Sequence, residues 1–230
     1  MRHITRMTGK RPVRLLGACL LLAGGVGTSV LLSAGAGQAA ACGSATVAGT
    51  PCTLTGTLTL ISGSLTLTSP TALTWSGTLN GLDLHLVDAT VAHQSYLVDD
   101  ATGTATGWHV TVSATTFTTT GSLTLANTGT FVTNGSITSV TATVPPTAAC
   151  LSGSTCTLPT NTTTYPVAIT TAASAPAAVT IYDTSAGSGL GSINIGAPGT
   201  NPVGWWLNVP SNTTPGTYTS TVTLEIIAGP

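Results

Sequence analysis

The chain has 230 residues, 42% of them hydrophobic, 5% charged and 4% aromatic, a length that suits one all-β domain or two small ones. All five cations (Arg2, Arg6, Lys10, Arg11 and Arg14) precede residue 15, and only acids follow them: Asp83, Asp88, Asp99, Asp100, Asp183 and Glu225. Once the N-terminus is removed the side-chain charge is −6 with no cation left; such a surface cannot neutralise phosphates, which excludes nucleic acid and anionic lipid headgroups as partners.

The N-terminus has the organisation of an export signal. Residues 1–14 are cationic, Leu15 to Leu32 is an apolar stretch interrupted by Gly17, Gly24, Gly25 and Gly27, and small residues run from Ser33 to Ala41. This predicts a secretory signal peptide over 1–39, cleaved after Ala39 or after Ala41. The apolar stretch is also within spanning range for an uncleaved anchor, but its glycines weaken a helix. No other segment is apolar enough to span a bilayer, so the expected mature chain, 40–230, is secreted or wall-associated.

Cys19 falls in the signal, leaving Cys42, Cys52, Cys150 and Cys156, which allow three pairings. The sequence-local choice, Cys42–Cys52 with Cys150–Cys156, closes two short loops worth about 2–3 kcal/mol each. Acylation of Cys42 as a lipoprotein is the competing reading; Ala39 occupies the place where a lipobox favours Leu, and acylation strands Cys52. A zinc site lacks a second close pair or neighbouring histidines.

The mature chain reads as strands. Threonine supplies 46 of the 191 residues after Ala39, and β-branched residues suit a pleated surface. Leu54 to Leu60 alternates Leu or Gly with Thr, meets Ser62-Gly63, and returns as Leu65-Thr66-Leu67-Thr68, which predicts a hairpin. Alternation recurs at 82–86, at 109–113 and at 218–226. Turn clusters stand between, among them Asn80-Gly81, Asn134-Gly135, Pro145-Pro146 and Pro215-Gly216. No segment beyond the signal carries twelve residues of helical spacing. These features predict a single all-β domain over 40–230, a β-sandwich or Greek-key-like barrel, with an excursion around Cys150–Cys156. The phrase Gly-(Thr/Ser)-Leu-Thr-Leu recurs at 56–60, 63–67 and 121–125 without a common period, so neither a solenoid nor a flat ice-binding array is expected.

Catalytic machinery is sparse, and no enzyme activity and no cofactor are expected. His85, His93 and His109 remain in the mature chain, without a Gly-x-Ser-x-Gly elbow. Asp83, His85, Asp88 and His93 are close enough in sequence for a metal cluster, but solvated residues on an exposed face are the simpler reading. Asp99-Asp100 before Thr102-Gly103 reads as loop chemistry, and Gly187-Ser188-Gly189-Leu190-Gly191 lacks the spacing of a phosphate loop. Leu158-Pro159-Thr160 does not continue as a sortase signal.

Only ten residues are aromatic, so their placement is informative. Asp100-Ala101-Thr102-Gly103 leads through Gly107 to Trp108-His109-Val110. Near the end stand Trp205-Trp206-Leu207 and then Tyr218, Val222, Thr223, Ile226 and Pro230. Over roughly 75–230 this resembles the WxL domain family, secreted β-rich surface proteins of Gram-positive bacteria that bind peptidoglycan non-covalently. The family's first motif reads Asp-x-x-Gly through Gly-Trp-x-Leu, and here Val110 replaces Leu. Its distal motif reads Tyr-x3-(Leu/Ile/Val)-Thr-Trp-x-Leu-x3-Pro, and here Leu224 stands for Trp and Ile226 for Leu. The resemblance implies a wall-bound surface protein whose partner is peptidoglycan or another wall glycan, with Trp108, Trp205, Trp206 and Tyr218 as ligand-binding residues. Trp108 is equally a core residue by type. Trp205 and Trp206 point to opposite faces of a strand, so one is expected in the core and the other outward as a stacking platform. The alternative is a structural or adhesin-type subunit that pairs with other surface proteins through exposed sheet edges.

Overall fold

The computed structural model describes residues 40–41, 48–49, 51–196 and 200–229. The expected signal peptide, the Cys42 half of the Cys42–Cys52 pairing and Pro230 of the distal motif lie outside the described residues. The chain divides into two units, one ending at Leu58 and the other beginning at Thr59, whereas the sequence reading expects one domain from residue 40. In the first, β1 (Ala40–Ala41) pairs in parallel with β2 (Cys52–Thr53).

The second unit is all-β. Its strands are β3 (Leu65–Thr68), β4 (Leu84–Val87), β5 (Tyr96–Asp100), β6 (Trp108–Ala114), β7 (Phe131–Asn134) and β8 (Ala148–Cys150). After them come β9 (Val167–Ile169), β10 (Val179–Thr184), β11 (Gly191–Ile195), β12 (Gly204–Val209) and β13 (Val222–Ala228). They form three antiparallel sheets in the orders β10-β6-β13, β3-β5-β11-β8 and β4-β12-β7-β9. One core joins all three, a β-sandwich built from Val98, Val110, Val112, Phe131, Ile169, Ile193, Ile195 and Trp205 among others. Alternation explains the choice of faces. In β13, Val222, Leu224 and Ile226 pack against the core, while Thr223 and Glu225 are exposed.

Among the described residues of this unit, no strand pairs with its neighbour in sequence. The expected hairpin from Leu54 to Thr68 is therefore corrected. Its second arm is β3, but β3 pairs with β5, placing Leu67 opposite the fully buried Val98. Its first arm, Leu54 to Leu60, forms no strand beyond β2 and leaves its leucines in solvent. Core burial on the sheet outweighs local pairing, because a lone two-stranded ribbon is marginal in water. The strands read at 82–86, 109–113 and 218–226 appear as β4, β6 and β13. The Cys150–Cys156 disulfide is present and closes the excursion after β8.

Candidate functional site

The two stretches that carry the family resemblance are neighbours in space. β6, opened by Trp108, pairs antiparallel with β13, setting Ala228 opposite Trp108, Ile226 opposite Val110 and Leu224 opposite Val112. Trp108 is fully buried, its indole N–H donates to the Gly189 carbonyl at 2.9 Å, and its ring stacks on Tyr182 with centroids 6.2 Å apart. Burial lifts the Tyr182 hydroxyl to about 12, with Asp183 adding to the effect. Gly189, at φ +79°, allows the contact, since a Cβ there would stand 2.6 Å from the indole nitrogen. Trp108 is thus placed in the core, the one of its two readings that leaves no face for a ligand.

Trp205 and Trp206 do point to opposite faces of β12, but both faces are covered. Trp205 is fully buried against Phe131, with its indole N–H donating to the His93 carbonyl at 2.9 Å. Trp206 is 5% exposed, because the loop after β7 closes over it. Asn134 gathers that loop by donating to the carbonyls of Ser139 and Val140, and the Trp206 indole N–H donates to the Ser136 carbonyl at 2.8 Å. The outward stacking platform expected at this pair is absent, because its polar edge is satisfied inside the fold.

The second unit carries a groove of about 1060 Å³. Its floor is aliphatic, from Leu84 and Leu86 of β4, Leu207 and Val209 of β12, and Val222 and Leu224 of β13. Leu224, at the position where the family motif has Trp, lines this space. Thr213 to Thr221 forms one wall. The other is a strap, Pro70 to Leu79, whose Leu73 and Trp75 pack against the core. Trp75, Phe117 and Trp205 also line the groove and form an aromatic cluster with Phe131 behind them, with Trp75 edge-on to both Phe rings at 5.8 and 5.7 Å. No lining residue of the groove is charged.

Two bonds secure the strap. The Trp75 indole N–H donates to the Trp205 carbonyl, and the Thr74 N–H donates to the Asp88 carboxylate at 2.8 Å. Asp88 is buried and also accepts from the Thr90 N–H at 2.9 Å and from His93 Nδ1 at 2.7 Å. Burial pushes its carboxyl upward, but the Thr74, Thr90 and His93 donors outweigh this and hold it below the usual carboxylate range. Of the four residues weighed as a metal cluster, Asp88 and His93 hold each other. His85 pairs with Asn208, and Asp83 accepts from the Ser211 N–H.

Tyr218 is the one expected ligand-binding residue that keeps exposed surface. It is half-buried, its hydroxyl donates to the Thr214 carbonyl at 2.8 Å, and it separates the groove from a smaller depression of about 260 Å³. That depression is polar, with Asn212, Thr124, Thr213 and Thr214 beside Pro210 and the Tyr218 ring. Trp75 escapes the sequence reading altogether, although the alternation Leu73-Thr74-Trp75 carries the signal.

A family model described as WxL domain surface cell wall-binding matches residues 83–230. No curated protein and no solved structure matches the chain. The match covers both motif strands, β6 and β13, together with the sheet that holds them, and the chain belongs to the WxL family of surface cell wall-binding domains.

Proposed function

We propose that this chain is an exported binding module, not an enzyme, that attaches non-covalently to peptidoglycan or another wall glycan. The family match supports attachment to the wall. The observation that carries the chemistry is charge: no Lys or Arg follows Arg14. Attraction to anionic wall polymers is therefore weak or repulsive, and attachment rests on hydrogen bonds and ring contacts with neutral sugar and peptide groups. The depression beside Tyr218 offers that combination, an aromatic face with the amide of Asn212 and the hydroxyls of Thr124, Thr213 and Thr214. Among the described residues no helix is long and apolar enough to cross a membrane.

The test is retention of the exported protein on purified peptidoglycan. Tyr218→Ala and Asn212→Ala should each weaken retention, and Asn212, being exposed, should do so without moving the melting temperature. Full retention by both folded variants contradicts this placement of the site. The structural-subunit reading is favoured by a separate observation: β4 and β13, which border the groove, are both edge strands.

A further inference from the structure

Two features of the chain lack partners and match each other. The first is the segment Leu54 to Ile61. Its even positions are Leu54, Gly56, Leu58 and Leu60, and its odd positions are Thr55, Thr57, Thr59 and Ile61, the alternation of a half-buried strand. Yet Leu54, Leu58, Leu60 and Ile61 are 80–92% exposed, and among the described residues the segment makes no hydrogen bond of its own. Soluble chains seldom leave four large aliphatic side chains so close together in water.

The second is the groove. On the sides of β4, β13 and the strap its floor is bordered by main chain with free hydrogen-bonding groups, while the Thr213–Thr221 wall is tied through Thr219 to Thr118 and through Thr221 to Thr115. β4 pairs only with β12, β13 pairs only with β6, and the strap donates a single main-chain bond, from Thr74 to Asp88. A sugar would find no carboxylate or amide side chain in it. An extended peptide would find unpaired N–H and C=O groups for its backbone and aliphatic surface for alternate side chains, the requirements of strand addition.

Charge selects the occupant. Two copies of a mature chain carrying only acids repel over most of their surfaces. The groove lining and the segment Leu54 to Ile61 both lack Asp, Glu, His, Lys and Arg, so this is a contact two copies can make without opposing charge. We propose that Leu54–Ile61 of one copy enters the groove of a second copy as an added strand. Its leucines lie on the floor formed by Leu86, Leu207 and Leu224, and its backbone pairs with the groove's free edges. Donor and acceptor are different surfaces of one chain, so the contact is heterologous and propagates head to tail. A purified preparation therefore contains species larger than the monomer, in proportions that rise with concentration.

The experiment measures the mass of the exported protein by light scattering across a concentration series, with no wall material present. Wild type should exceed the monomer mass increasingly as concentration rises. The double variant Leu58→Asp with Leu60→Asp, altered only at exposed positions, should remain folded and monomeric. A synthetic peptide of residues 53–62 should shorten wild-type assemblies and bind the double variant. Leu224→Trp, which fills the groove, should abolish that peptide binding. A wild type that stays monomeric, assembly that persists in the double variant, or no peptide binding to the folded double variant would each overturn the proposal. Wall retention is measured separately, so its loss or survival does not bear on this result.

Discussion

The indole N–H of Trp75 donates to the main-chain carbonyl of Trp205 at 2.9 Å, across 130 residues of chain. Through this bond an irregular strap becomes one wall of the groove, and the carbonyl that receives it also accepts the Asp88 N–H at the end of β4. One oxygen on β12 thus fixes both the strap and the strand beneath it. Trp75→Phe keeps an aromatic ring among Phe117 and Phe131 but removes the donor. It should cost about 1 kcal/mol, with protease cleavage between residues 70 and 79 rising more than global unfolding. Equal cleavage in wild type and variant would show that the bond does not hold the strap.

Asp88 gives the strap a pH dependence. Its carboxyl is held below its ordinary value, so in the unfolded chain it takes up a proton at higher pH than in the folded chain. The stability it contributes is present above the unfolded carboxylate value of 3.8 and is lost as pH falls through the folded value. Asp88→Asn should lower stability at neutral pH and flatten the acid limb of a melting-temperature profile. An unchanged acid limb would assign that slope to other carboxylates.

Two glycines in one loop separate backbone strain from packing. Gly187 at φ +87° has open space where a Cβ would sit, whereas a Cβ on Gly189 at φ +79° would strike the Trp108 indole and Thr184. Gly187→Ala should cost about 1 kcal/mol for the left-handed backbone. Gly189→Ala should cost more, up to about 3 kcal/mol beyond it as Trp108 is displaced. Chemical denaturation of the pair tests this, and equal losses would remove the steric role given to Gly189.

Cys150 and Cys156 close a short loop after β8. Replacing both with Ala should lower stability by about 2 kcal/mol, the chain-entropy scale for a loop of this size, without changing retention on the wall. Loss of retention at unchanged stability would move the ligand site toward this loop.

Alternation made β4, β6 and β13 legible in the sequence, because one face of each is buried and the period of 2 survives translation into packing. The cysteine spacing likewise announced Cys150–Cys156. What the sequence concealed was partnership. A run such as Leu54 to Leu60 has the same pattern whether or not a sheet receives it, and β3 left its expected hairpin for β5 because Val98 offered a buried neighbour. The site was harder still to read. The family resemblance names Trp108 as ligand-binding and alternation sends one of Trp205 and Trp206 outward, but Gly189 and Ser136 supply carbonyl partners, and Asn134 gathers a covering loop, that only the tertiary fold assembles. Trp75 carries little signal because it stands in a stretch without strand pairing.

Attachment to the wall through neutral contacts is measured most directly as retention of the exported protein on purified peptidoglycan across a salt series. With no Lys or Arg after Arg14, there is no cation to screen. Retention should stay constant from low salt to about 0.5 M, or rise slightly as repulsion between acids and wall anions is screened. A steep fall in retention over that range would mean that ion pairing holds the protein to the wall, and would contradict the account.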